Sequence, residues 1–186
     1  MPIIFLLLIL ILLIMLSGFL SGSETAITAT SKPRITWQTK KGNKRAIYVL
    51  KILNQKDNVI SSLLLSNNLV NILASSLATV FFYNIFGVEG IFYSTLIMTV
   101  VLVIFAEVLP KTYALNKPTR TALLISPFIY YLNKLLFIFV FLINKFVKIL
   151  VKNKEIDNKI RDQQSEEELK GVIDLYKTSN PDYEQE

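Results

Sequence analysis

All twenty lysines and arginines lie between residues 32 and 56 or from 111 onward, which leaves residues 1–31 and 57–110 without a cation. Inside those cation-free stretches the apolar residues come in blocks long enough to cross ~30 Å of hydrocarbon at about 1.5 Å per helical residue. A chain with such blocks has few options, because in lipid the backbone must satisfy its own hydrogen bonds within helices or a closed barrel. Runs of this length and lack of alternation specify helices, so the expected fold class is an all-α membrane protein.

Three spans are clear, at about 3–30, 58–86 and 91–112. The first opens with IIFLLLILILLIML and carries its polar residues in its second half, SGFLSGSETAITA. The missing basic n-region and the length of the run favour its retention as a span over removal as a signal peptide. The segment 32–56 holds eight of the cations, whereas the connection 83–90 holds none. By the positive-inside rule the 32–56 segment is cytoplasmic, so the N-terminus is expected outside. The net charge of +6 is thus a topology signal, and a nucleic-acid partner is not expected.

The stretch at about 119–150 is apolar enough for a fourth span, but Pro127 and Lys134 interrupt it. With Lys134, Lys145 and Lys148 near helical spacing, it reads as a cytoplasmic juxtamembrane amphipathic helix in preference to a fourth crossing. Residues 1–150 then make one membrane domain, and 151–186 a polar cytoplasmic linker. Cysteine and histidine are both absent, so any bound metal must use oxygen ligands. No nucleophile–base pair is visible, and an enzyme is not expected.

Counted from the outer end of each span, Ser17 and Ser21 lie roughly 21–27 Å down and Glu107 about 24 Å, with Asn71 near the same depth. They share one slab toward the cytoplasmic half. Ser17 and Ser21 are i,i+4 neighbours, as are Asn67 and Asn71, with Asn68 one residue round. Pro110 has no N–H and crowds the carbonyl of Ala106, so that oxygen is expected to lack its helical partner. Hydroxyl, amide, carboxylate and carbonyl oxygens together suit Mg²⁺, Ca²⁺ or Na⁺. Each has a plainer reading. Ser17, Gly18, Ser21 and Gly22 spell small-xxx-small packing patterns, and the asparagines suit interhelical hydrogen bonds. Glu107 is the exception, because an intramembrane acid costs at least ~2.5 kcal/mol to insert, and its plain alternative is an ion pair with Lys111.

Three ordered motifs, SGFLSGSETAITA, LLLSNNLVNILASSLAT and IFAEVLPKTYA, resemble the transmembrane domain of the CNNM/CorC family of magnesium transporters. The resemblance covers roughly residues 3–150. It implies three spans, a cytoplasmic juxtamembrane helical belt, a homodimer in the plasma membrane, and a continuation into a CBS-pair domain that this chain does not contain. It also implies that Mg²⁺ is held by Ser17, Ser21, Asn71 with Asn68 or Asn67 beside it, and Glu107, with Ala106 standing where the family has glycine. The implied function is Mg²⁺ efflux coupled to Na⁺. The alternative is a membrane anchor and Mg²⁺ sensor that regulates another transporter.

Overall fold

The computed structural model describes residues 3–150, which are helical with short breaks and contain no strand. Three helical stretches are long and apolar enough to cross a membrane: α1 (Ile3–Ala29), α4 (Lys56–Phe86) and the composite Glu89–Asn116. The last consists of α5 (Glu89–Val101), a π-helical segment (Leu102–Val108) and α6 (Leu109–Asn116). Between the first two spans lie α2 (Lys32–Lys40) and α3 (Lys44–Asn54), and after the third come α7 (Pro118–Leu135) and α8 (Phe137–Leu150). The all-α, three-span expectation is borne out. The linker expected at 151–186 lies outside the described residues.

The break between α2 and α3 has a local cause. Gly42, at φ 82°, turns the chain between α2 and α3, a conformation without penalty only for glycine. The first turn of α3 is then capped by Asn43, whose side-chain oxygen accepts from the Arg45 N–H at 3.0 Å. Lys56 at the start of α4 donates to the Thr28 carbonyl at 3.3 Å, placing a cation at the C-terminal end of α1 where the helix dipole favours it. The stretch expected to form one juxtamembrane helix is two, and α7 meets Phe137–Ile143 at 66°. Pro127, the residue expected to interrupt it, sits inside α7 without ending it.

Residues through Leu142 form one packed unit. Two apolar clusters hold it together. One joins Leu10 of α1, Ala74 and Ala78 of α4 and Met98 of α5. The other, larger, joins Leu20 and Ile27 of α1, Ile35 of α2, Val49 and Ile52 of α3, Leu63 of α4, Ala114 of α6 and Ile125 and Ile129 of α7. The short helices α2, α3 and α7 thus gather around the Ala29 end of α1. Phe19 meets Phe128 edge to face with ring centroids 5.2 Å apart, and Ser62 donates to the Asn133 side-chain oxygen at 2.7 Å, fastening α7 to two spans. Along α1, Ser17 falls between Leu10 of one cluster and Leu20 of the other, and Leu13 packs against both.

Candidate ion site

The third span approaches α1 through two glycines. A methyl on Gly18 would lie 2.9 Å from the Phe105 carbonyl oxygen and 3.1 Å from Cγ of Pro110, and one on Gly22 would lie 3.2 Å from Cβ and the carbonyl oxygen of Pro110. Only a residue without Cβ permits that approach. The glycines of the small-residue pattern therefore serve packing, which leaves the serines of the same pattern free for another surface.

Proline explains the irregular backbone opposite them. Pro110 cannot donate to the ladder, and just before it the N–H of Leu109 reaches five residues back, to the Ile104 carbonyl. This π-type bonding shifts the helical register by one residue between Leu102 and Val108. It puts the Phe105 carbonyl against Gly18, with Ala106 buried beside it. The sequence pointed to the carbonyl of Ala106; the carbonyl oxygen at the α1 contact is that of Phe105.

Ser17 is fully buried and its Oγ lies 2.8 Å from Oδ1 of Asn67 and 2.5 Å from Oδ1 of Asn71. A hydroxyl has one proton, so it can donate to only one of those oxygens at a time. The other oxygen–oxygen contact needs an amide to turn over, or a cation among the three. One turn further along, Ser21 is also fully buried, and its Oγ has no hydrogen-bond partner at all. A buried hydroxyl left unpaired costs about 1–3 kcal/mol, so α1 carries at this level a polar group that nothing in the chain repays.

The structure brings Ser17, Asn67 and Asn71 together, with Ser21 on the same helical face as Ser17 and Ala106 against neighbouring Gly18. Asn68, one residue round from Asn67, is exposed. Glu107 follows buried Ala106 but does not join the cluster. Its carboxylate accepts from Lys111 Nζ at 3.1 Å, one turn along the same helix, and half of its side chain is exposed. Among the described residues no three acidic groups gather as a metal site. The buried donor set is neutral oxygen, with one carboxylate nearby that is itself paired.

Over residues 8–186 the sequence matches the CNNM family, described as the cyclin M transmembrane N-terminal domain. It is 36% identical over 160 residues to the "UPF0053 inner membrane protein YfjD" of Escherichia coli K12, covering 85% of this chain and 37% of that protein. It is 34% identical over 173 residues to a "UPF0053 protein" of Haemophilus influenzae, covering 92% of this chain and 41% of that protein. A third relative, the "UPF0053 protein YhdP" of Bacillus subtilis, is 27% identical over 177 residues. The chain thus spans about two fifths of the length of the first two.

Proposed function

This chain is a membrane domain of the CNNM family, and from that premise we propose that it carries Mg²⁺ across the membrane through the oxygen cluster between α1, α4 and the third span. The observation that carries the reading is the pair of buried serines: Ser17 faces two amide oxygens with one proton, and Ser21 has no partner. A small hard cation supplies what both lack. Ser17, Ser21, Asn67 and Asn71 replace part of its water, and the carbonyls of Phe105 and Ala106 complete the α1 face. Glu107 joins when it exchanges Lys111 for the ion. With one carboxylate at most, the site stays net positive around Mg²⁺, so the ion is held moderately and can leave again. In the proposed topology the N-terminus is outside and the cation-rich segments are cytoplasmic. The domain works as a homodimer in the plasma membrane, with Mg²⁺ efflux driven by Na⁺ entry.

The test is Mg²⁺ flux. Purified protein is placed in liposomes holding a Mg²⁺-sensitive dye, with Ser17→Ala, Asn71→Ala and Glu107→Gln beside the wild type. Flux in the wild type that each variant loses supports transport through this cluster. Saturable Mg²⁺ binding by calorimetry without flux would replace transport by sensing. The absence of both would remove the ion from the site and leave these residues as packing and hydrogen-bonding groups.

A further inference from the structure

Away from the ion cluster, an open cleft of about 450 Å³ lies where the start of α3, the end of α6 and the start of α7 meet, lined by residues that include Asn43, Arg45, Tyr113, Arg120, Thr121 and Leu124. We infer that this cleft binds the phosphate group of an anionic membrane phospholipid. The inference stands independently of the proposed ion transport.

Charge is the first argument. No aspartate or glutamate occurs between residues 25 and 56 or between 108 and 154, and these two stretches supply the whole lining. Among the described residues neither Arg45 nor Arg120 has a carboxylate partner. Each guanidinium presents a planar fork of donors that fits two phosphate oxygens at once. Two such forks on one cleft without a counter-charge form a site that lacks its anion.

The backbone adds to this. The first turn of α7 has no side-chain cap, Pro118 spends no donor there, and the following residues of that turn include Arg120 and Thr121 of the lining. The Thr121 N–H already donates to the Lys117 carbonyl at 3.0 Å, so the turn that supplies Arg120 to the cleft offers the N–H groups of Thr119 and Arg120 and the positive dipole end of an 18-residue helix. By contrast, the start of α3 is already closed by Asn43.

The apolar side of the cleft selects a lipid over a soluble phosphate. Tyr113 and Leu124 are 60% and 67% exposed, at the end of the third span where the chain passes from apolar to basic sequence. An acyl chain can lie along them while its phosphate meets the arginines, and tyrosine is favoured at that depth. Residues 32–56, which supply Asn43 and Arg45 of the lining, carry eight cations, and an anionic leaflet adds about 1 kcal/mol of attraction per basic residue near its surface.

Native mass spectrometry of the full chain in detergent tests the assignment, with phosphatidylglycerol and phosphatidylcholine added in turn. The wild type is expected to retain phosphatidylglycerol at least fivefold more than phosphatidylcholine. Arg45→Gln/Arg120→Gln should erase that preference while leaving phosphatidylcholine retention and helical content unchanged. Lys40→Gln/Lys41→Gln, which removes two cations outside the cleft, should preserve it. Arg120→Gln alone carries the test if the double variant does not fold, and Arg120→Lys should fall between that variant and the wild type because the charge survives without the fork. Equal preference in the wild type and the arginine variants overturns the site, as does an equal loss in the lysine variant. Displacement of the bound lipid by millimolar inorganic phosphate overturns the lipid assignment in favour of a free anion.

Discussion

Replacing Ser21 by alanine separates an ion ligand from a packing residue, because the two roles predict different responses to Mg²⁺. The Ser21 hydroxyl is fully buried and unpartnered, so without ion its desolvation is a pure cost of about 1–3 kcal/mol. Alanine removes that cost and leaves a void of one oxygen. The ion-free variant should therefore be more stable than the wild type by about 1 kcal/mol, or about 2–4 °C in Tm for a chain of this size. With Mg²⁺ at one hundred times its Kd, binding stabilises the wild type by about 2.7 kcal/mol. The variant, short of one ligand, gains much less. The two melting curves should then exchange order: the variant is higher without Mg²⁺ and lower with it. The assay is thermal unfolding of the detergent-purified protein followed by its single tryptophan, Trp37, or by circular dichroism, with EDTA or with rising Mg²⁺. If Ser21→Ala raises the ion-free Tm and keeps the whole Mg²⁺ shift, the hydroxyl is an unpaid group outside the site. If it lowers the ion-free Tm, the orphan argument fails.

Four other outcomes follow from the same geometry. Ser17→Ala should lower ion-free stability by about 1 kcal/mol, opposite in sign to Ser21→Ala, because its hydroxyl is bonded to an asparagine oxygen; the same melts decide it. Glu107→Gln removes the carboxylate that pairs with Lys111 and should abolish Mg²⁺ flux while leaving helical content and Tm close to those of the wild type. A large loss of stability in that variant would show a structural carboxylate instead. Gly22→Ala puts a methyl 3.2 Å from the backbone oxygen of Pro110 and should cost about 1–3 kcal/mol; an unchanged Tm would mean that the third span can recede. A double-mutant cycle on Phe19 and Phe128 should return a coupling of about 0.5–1.5 kcal/mol for their edge-to-face contact; a value near zero would mean that α7 docks without it.

The fold was legible because hydrocarbon leaves the backbone so few solutions, and the distribution of cations marks where each span must end. Lateral direction was harder to read. Depth follows from counting residues, but which face of α4 meets α1 depends on how the clusters around Leu10 and Leu20 pack. The spacing paired Asn67 with Asn71 at i,i+4 and left Asn68 as a neighbour; packing turns the first two to Ser17. The break between α7 and α8 carries no glycine or proline at Leu136, whereas Pro127, which looked like a break, lies within a helix. Hydropathy locates neither.

Glu107 shows why a depth argument stops short of a site. Its level in the membrane is set by sequence, but its direction depends on the π-helical register, which advances by one residue before Pro110. That register turns Ala106 toward Gly18 and leaves Glu107 at the margin, paired with Lys111. A π segment beside a proline already lacks part of its ladder, so returning the preceding turn to α-helical register exchanges one hydrogen bond for another and rotates the following residues by about 100°. Such a rotation would carry Glu107 around the third span and re-seat Phe105 and Pro110, the residues that meet Gly18 and Gly22 of α1. Pro110→Ala restores the missing donor and should favour the α-helical register. If that rotation is part of the transport cycle, the variant keeps Mg²⁺ binding and loses flux. Unchanged flux in Pro110→Ala would mean that the π register is a fixed feature of packing against Gly18, and that the carboxylate reaches the ion by side-chain rotation alone.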